Sequence, residues 1–252
     1  MFLVCTIELL IESDCFCKLS IFVKAFETFE LIFTISLFSC ENEDNNNNSV
    51  FIGKEYFPLV SGNTLIYKIT EINIDKPSEI FDTTIYYLKE IIDIPLLDNE
   101  NDTAYRIERY TRFSSDDNWI IHSVWSAKIT ENTAEKVEEN YRYVKIRFPV
   151  RTGYTWNGNI YNECESQEYR VSSVNSYYQI EDFVFDSCLT VVHDSSSSLI
   201  HKDLDYEVYA YRIGLVYKEM TYLNSQEVIF DVPIEERVTT GTIYKQELVE
   251  IE

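Results

Sequence analysis

Apolar and polar residues alternate along the chain from residue 51 to its end. In residues 64–74, for example, Leu65, Tyr67 and Ile69 alternate with polar neighbours. This period of two is the pattern of a strand with one buried face. The same pattern predicts further strands over residues 80–94, 105–113, 119–129, 137–148, 168–174, 183–192, 204–212, 215–223 and 242–251. The chain is therefore predicted to form about ten strands.

Turn residues separate these segments, including Pro77, Gly153, Gly158, the serine run over residues 195–198, and Gly241. No long segment with a helical period follows residue 51, and only residues 131–140 could form a helical turn or two. Short strands joined by tight turns are typical of antiparallel sheets that curve to protect their edges. We predict an all-β, mainly antiparallel fold: a single curved sheet or half-barrel over residues 51–252.

A short apolar run over residues 31–38 ends in the tetrapeptide from Leu37 to Cys40. The run is too short to span a membrane but fits the apolar core of a signal peptide. Its end resembles the lipobox of bacterial lipoproteins, in which the cysteine is lipidated. We predict a signal peptide over residues 1–39 and lipid attachment at Cys40. Export signals normally have a basic N-terminal region, whereas this segment carries Glu27 and Glu30. Residues 1–24 are therefore interpreted as an upstream extension. The alternative is a cytosolic protein with an apolar N-terminal helix.

Residues 41–50 are almost entirely Asn, Glu and Asp, which predicts a flexible tether between the anchor and the domain. The N-terminus resembles those of Bacteroidota lipoproteins, in which acidic residues just after the lipidated cysteine mark export to the cell surface. Glu41, Glu43 and Asp44 fit that pattern. The resemblance implies an outer-membrane lipoprotein of the cell envelope, exposed at the surface and held to the membrane by its lipid.

Composition excludes one class of partner. The chain has 43 acidic and 21 basic residues, a formal net charge of −22. Nucleic-acid binding needs clustered Lys and Arg to neutralise phosphates, so we predict no nucleic-acid partner. The 19 Tyr and 15 Phe residues favour strands and supply a packed core.

Two cysteines remain in the domain once the signal segment and Cys40 are set aside. Cys164 and Cys188 are a candidate disulfide in an oxidising compartment, with two buried free thiols as the alternative. Their spacing lacks a C-x-x-C partner and the histidines are not placed to complete a zinc set, so no metal site is predicted.

The histidines and acidic residues offer weak chemical signals. His193 and His201 flank the serine run, but the strained G-x-S-x-G turn of a serine hydrolase is missing, and a polar serine run usually forms a loop. No catalytic residue and no cofactor are predicted. Four acids around one turn could hold Ca²⁺ but do not match an EF-hand loop, so a solvated acidic loop is the favoured interpretation. They are Asp93, Asp98, Glu100 and Asp102.

Trp119, Trp125 and Trp156 are candidates for a ligand groove. Aromatic side chains of one parity most often build a buried sheet face, whereas exposed ones can line an apolar pocket or stack on sugars. Trp119 and Trp125 are six residues apart and share strand parity, so they are predicted to point the same way. The candidate ligands are hydrophobic molecules or glycans.

Two segments of the domain resemble a family. Residues 56–67, reading YFPLVSGNTLIY, resemble the opening of many uncharacterised Bacteroidota lipoproteins, and residues 207–219, reading EVYAYRIGLVYKE, resemble a segment near their C-termini. The chain departs at Leu65 or Ile66, where an aromatic residue is usual, and at Tyr211 and Arg212, where glycine is common. The resemblance implies a half-barrel like that of the envelope lipoprotein carriers LolA and LolB, built around an apolar groove.

The sequence thus predicts a lipid-anchored envelope protein that is a non-catalytic binding or structural module with an apolar groove. One alternative is a surface protein that binds or processes glycans. Another is a subunit of a larger surface assembly.

Overall fold

The computed structural model describes residues 51–252. The predicted signal peptide over residues 1–39, the lipidation site Cys40 and the tether up to residue 50 lie outside the described residues. The described chain forms one sheet of twelve strands and three single-turn 3-10 helices, Lys54–Tyr56, Lys76–Ser78 and Ile234–Glu236. None of the helices in this part of the chain has the length and apolar content to cross a membrane.

The strands are β1 (Thr64–Asp75), β2 (Ile80–Leu97), β3 (Thr103–Arg112), β4 (Ile120–Ile129), β5 (Thr133–Glu138), β6 (Tyr141–Arg147), β7 (Thr155–Asn157), β8 (Glu168–Ile180), β9 (Phe183–Ser197), β10 (His201–Ala210), β11 (Gly214–Asn224) and β12 (Thr240–Ile251). Their order in the sheet is β6-β5-β4-β3-β2-β1-β12-β11-β10-β9-β8-β7. The predicted all-β, antiparallel, curved sheet is confirmed, with twelve strands where the alternation indicates about ten.

The sheet is a nearly closed barrel. Its two edge strands, β6 and β7, come together where the Val144 N–H donates to the Gly158 carbonyl at 2.9 Å and the Trp156 indole N–H donates to the Val144 carbonyl at 2.8 Å. Curving a sheet until its edges meet removes most of the unpaired main-chain groups that an open sheet would expose. One face of each strand is thereby turned toward a shared interior.

Connections alternate between two ends of the barrel. The upper end carries residues 76–79, 113–119, 139–140, 158–167, 198–200 and 225–239. The lower end carries the segment before β1 and residues 98–102, 130–132, 148–154, 181–182 and 211–213. Tyr56 is completely buried at the lower end, and the ring centroid of Phe57 lies 6.0 Å from that of Tyr209. The lower interior is therefore a packed apolar core rather than an open mouth.

A second core lies on the outer face. The hairpin of β8 and β9 bends, because β8 has several irregularities in its register and Asn175 adopts φ 55°. The hairpin folds over the outer face of the sheet: the ring centroid of Tyr178 lies 5.9 Å from that of Tyr217 in β11, and Glu181 at the tip reaches Lys68 in β1 at 3.7 Å. This contact buries apolar side chains that would otherwise face solvent.

Three local predictions are wrong. Residues 131–140 contain β5 and not a helical turn, and the strand predicted over residues 137–148 is divided by a tight turn at Glu139 and Asn140, whose φ values are 46° and 71°. Asn readily adopts this left-handed region, and two such residues in a row suit a two-residue hairpin turn. The serine run was predicted as a loop, but its first three residues end β9 and pair with β10.

Candidate functional site

The interior of the barrel holds a cluster of charged side chains at mid-height, which we call the interior ion cluster. It is contributed by strands from around the sheet and surrounds a cavity of about 50 Å³. Its members are Glu90, Arg109, Lys136, Glu138, Lys145, Glu207 and Lys218. Charged residues are almost never buried unless they are paired, so the pairing of each one determines what this interior can do.

Glu90 organises one half of the cluster. Its carboxylate accepts a hydrogen bond from Arg109 Nε at 2.9 Å and lies 3.3 Å from Lys136 Nζ. The Arg109 guanidinium stacks on the Trp125 ring, with Cζ 3.5 Å from the ring centroid. Two cations thus share one buried carboxylate, and an aromatic face stabilises one of them.

Glu207 organises the other half. It is almost completely buried, and its carboxylate lies 2.9 Å from Lys145 Nζ, 3.3 Å from Lys218 Nζ and 3.4 Å from His193 Nε2. The Tyr209 hydroxyl donates to it as well. One carboxylate therefore compensates three basic groups, and its removal would leave all of them short of a partner.

The electrostatic field of the cluster fixes its protonation. Burial alone would raise the pKa of Glu138, but the charges of Lys145 and Lys218 outweigh it and lower that pKa to about 2. In the same way Lys145 and His193 outweigh burial and hold the pKa of Glu207 well below its usual range. Burial opposes the charged form of Lys145, yet Glu138 and Glu207 raise its pKa well above the ordinary value. The carboxylates and the lysine are therefore ionised at neutral pH.

His193 is a titratable neighbour of Glu207 whose protonated form the fold stabilises. Its imidazole stacks on Tyr169 with ring centroids 3.9 Å apart, and Nδ1 lies 3.2 Å from Asp205 Oδ1. Burial lowers the pKa of His193, but Glu207 and Asp205 outweigh it, so the pKa is raised above 6.5. The contact with Glu207 is ionic rather than a well-aligned hydrogen bond, since His193 Nε2 has no hydrogen-bond partner among the described residues.

We expect stability to be highest in mildly acidic solution. A raised histidine pKa stabilises the fold fully below the unfolded value of about 6.5, and this contribution is lost as pH rises through the folded pKa. The depressed pKa of Glu138 stabilises the fold above about 4.3, and this contribution is lost as pH falls toward 2. Urea denaturation across this range should show a maximum between the two limits. His193→Gln should reduce the decline that follows as pH rises past 6.5, while the raised pKa of His201 keeps a remainder; an unchanged decline would contradict this role of His193.

The interior ion cluster was not predicted from the sequence, although one of its residues lies on a recognisable strand face. Arg109 shares its strand parity with Tyr105 and Ile107, so a basic residue lies on an otherwise apolar face. The strand face of Lys145 could not be predicted in this way, because Lys145 is the extra residue of a bulge. Ala134 pairs with Ile146 and Glu135 pairs with Val144, so Lys145 has no partner in β5.

The three tryptophans do not share one groove. His122 is the extra residue of a bulge in β4, which reverses the alternation between Trp119 and Trp125. The prediction that they point the same way is therefore wrong. Trp119 is half-buried on the outer face, where Lys89 Nζ lies 4.8 Å and Arg112 Cζ 4.3 Å from the centroid of its ring.

The other two tryptophans are structural in their surroundings. Trp125 lines the interior cavity and donates its indole N–H to Glu139 Oε1 at 3.0 Å. Trp156 is buried where the two sheet edges meet, with its indole N–H on the Val144 carbonyl. The apolar groove implied by the family resemblance would need an open apolar interior, whereas these strands surround charged side chains.

Both cysteines of the domain are free thiols in the structure. Cys164 is exposed in the connection between β7 and β8, and Cys188 is buried in β9. Burial raises the pKa of the Cys188 thiol to about 11, which keeps it protonated and unreactive at neutral pH. The predicted lipidation site Cys40 lies outside the described residues.

The acidic turn between β2 and β3 is occupied by a lysine. The ammonium of Lys128 lies 2.7 Å from Asp98 and 3.0 Å from Asp102, and it also contacts Glu100. The fourth acid considered for Ca²⁺, Asp93, pairs with Arg106 instead. The turn folds over the outer face of β4 and β5 and borders a surface cavity of about 270 Å³. A side-chain cation therefore fills the position that a metal ion would take.

Removing this lysine should create a cation site. The three carboxylates have oxygens within 4.8 Å of one another, which suits the oxygen ligands of Ca²⁺. We expect Lys128→Ala to lower stability without added metal, through repulsion among the carboxylates, and to gain a Ca²⁺-dependent rise in melting temperature. The wild type should show no such rise. A variant that is insensitive to Ca²⁺ would show that Arg142, which also binds Glu100, is sufficient to neutralise the turn.

The structure does not bring His193, His201 and the serine run together as a nucleophile and its base. His193 is in the interior, whereas His201 is paired with Asp203 at 2.7 Å and contacts Asn224. Ser195 pairs with Leu204 in the ladder between β9 and β10. These contacts are those of sheet residues.

Comparisons with known proteins give a limited result. No protein-family model and no curated protein matches the chain. A protein of Bacteroides fragilis described as exported and as having a YmcC-like fold is similar in structure, with a TM-score of 0.42, 11% identity, and coverage of 78% of this chain and 98% of that one. A protein of Parabacteroides distasonis described as a lipoprotein has a TM-score of 0.34, 12% identity and the same coverage. Both TM-scores are below 0.5, so neither likeness supports a conclusion about function.

Proposed function

We propose that the protein is a lipid-anchored module of the cell envelope that acts as a non-catalytic structural scaffold. The barrel interior, which is where a carrier would hold its ligand, is filled by ion pairs within the chain. The protein then acts through its outer surface and its ends.

The size of the interior cavity supports this function. Ligand pockets usually measure roughly 300–1,000 Å³, whereas the cavity beside the interior ion cluster measures about 50 Å³. A space of that size fits a few water molecules, at roughly 10–15 Å³ each. It is too small for an acyl chain or a sugar ring. An apolar ligand would also have to displace buried ion pairs, and breaking one such pair costs roughly 3–5 kcal/mol.

The outer face offers little for glycan binding at the tryptophans. Sugar stacking needs an open aromatic face. Among the described tryptophans, Trp125 lines the interior and Trp156 is buried where the two sheet edges meet, which leaves Trp119 on the outer face. Two cations already contact the Trp119 ring. We therefore expect a glycan array to give no binding and tryptophan fluorescence to stay unchanged on addition of sugars.

The proposed cellular location is inferred from the N-terminal sequence. The apolar run, the lipobox-like residues up to Cys40 and the acidic tether support an outer-membrane lipoprotein that is exposed at the surface. Intact-mass analysis of the protein extracted from native membranes tests this directly. We expect a species that begins at Cys40 and carries lipid, and a matched Cys40→Ser variant that lacks the lipid. An unlipidated wild-type chain would contradict the anchor.

A further inference from the structure

Part of β2 is an unpaired edge in the nearly closed barrel. β2 pairs with β1 along its whole upper half, up to Ile80 against Asp75. On its other side, pairing with β3 begins only at Tyr87 against Arg112. Within residues 51–252, the main chain of residues 80–86 therefore has hydrogen-bonding groups on one side that meet no neighbouring strand. These residues extend beyond the upper end of β3, at a height where β1 is still paired with β12, up to Asp75 against Thr240.

The sequence of this edge lacks the features that normally prevent edge pairing. Natural edge strands are protected by Lys, Pro, bulges or inward-pointing charges. Residues 80–86 read IFDTTIY, with Asp82 as the one charge and no Pro, Gly or Lys. Phe81 and Ile85 are 67% and 49% exposed. They lie on the outer face, because their parity is opposite to that of the inward-facing Glu90.

We infer that a second copy of this chain pairs with the edge, antiparallel and around a two-fold axis at Thr83. In this register Phe81 of each copy lies opposite Ile85 of the other, and Thr83 lies opposite its own counterpart. Two aromatic–aliphatic pairs then form on the outer face, which is the kind of cross-strand contact that stabilises antiparallel sheets. The two barrels become joined by a continuous sheet through an isologous interface.

A second copy of the chain is the partner we propose because residues 80–86 are complementary to themselves when reversed. Reversing IFDTTIY places apolar residues opposite apolar ones at both ends, and it places Asp82 opposite Thr84, so no like charges meet. Phe113, which is 70% exposed, adds apolar surface beside the edge, with its ring centroid 6.1 Å from that of Tyr86. Binding of an unrelated peptide would not require this self-complementarity, so its presence favours a second copy of the chain.

The charge of the whole chain opposes association. Each copy carries a net charge of −22, so the two barrels repel one another over the range of the Debye length. Local edge pairing must overcome this repulsion, and added salt screens it. The dimer should therefore become more populated as ionic strength rises, which is the opposite of an interface held by surface ion pairs.

Sedimentation velocity of the purified full chain tests the pairing, with variants that place a positive or a negative charge at Thr83 on the two-fold axis. We expect a dimer that strengthens with salt. Thr83→Lys and Thr83→Glu should each weaken self-association roughly tenfold or more, because like charges then meet across the axis. An equimolar mixture of the two variants should form the dimer again.

The matched control is Thr242, another exposed threonine, which lies in β12 between two paired neighbours, Asn73 and Tyr222. Thr242→Lys and Thr242→Glu should leave the dimer unchanged. A wild type that is monomeric at high salt overturns the inference, as does a dimer unaffected by both Thr83 variants. Loss of the dimer without recovery in the mixture overturns the two-fold register.

Discussion

Replacing Glu207 by Gln should lower the free energy of unfolding by roughly 3–5 kcal/mol, which is the usual cost of removing one partner from a buried ion pair. The substitution keeps the shape of the side chain but removes its charge. Lys145, Lys218 and His193 then share an interior that has lost its main counter-ion. Urea denaturation followed by circular dichroism measures the change.

Glu250→Gln is the matched control, because Glu250 is exposed on β12, and its loss should stay within about 0.5 kcal/mol. A double variant, Lys145→Met with Glu207→Leu, should lose less than the sum of the two single changes, since an apolar pair can replace a buried ion pair. A loss below about 1 kcal/mol for Glu207→Gln would mean that water reaches the site and screens the charges.

Replacing Arg237 by Met should cost about 2–4 kcal/mol and release the loops at the upper end. Arg237 is 6% exposed, and its guanidinium donates to the carbonyls of Val232, Glu227 and Leu199. These acceptors come from two separate connections, so one side chain joins them. Each buried carbonyl that loses its donor costs roughly 1–3 kcal/mol, less where water can reach it.

Hydrogen exchange should locate this effect. In Arg237→Met, the amides of residues 198–200 and 225–239 should exchange faster, while those of β1 and β12 stay protected. Arg170→Met is the control, because Arg170 is exposed on β8. Uniform acceleration across the barrel would show that Arg237 supports the global fold and not only these loops.

Much of the fold could be predicted because alternation is a local property. The period of two in segments such as residues 64–74 and 242–251 corresponds closely to β1 and β12. The errors occur where one residue changes the geometry. Asn140 closes a hairpin in the middle of an apparently continuous strand, and Pro95 lies within β2 beside a register shift instead of ending the strand.

The interior ion cluster could not be predicted in the same way, because it depends on pairings between distant strands. Glu90 and Lys136 are separated by 46 residues and meet only because the barrel brings β2 and β5 together around its interior. Bulges at His122 and Lys145 then reverse the parity on which any sequence-based assignment of faces relies. A lone charged residue on an apolar face, such as Arg109, was the usable local signal.

We propose that the charged side chains inside the barrel stabilise the fold and leave no room for a ligand. Native mass spectrometry of the protein extracted gently from its own membranes tests this most directly. We expect the mass of the polypeptide with its covalent modifications, as monomer or dimer, and no non-covalent small molecule. A lipid or glycan that stays bound in stoichiometric amount, and that is lost on unfolding, would contradict it.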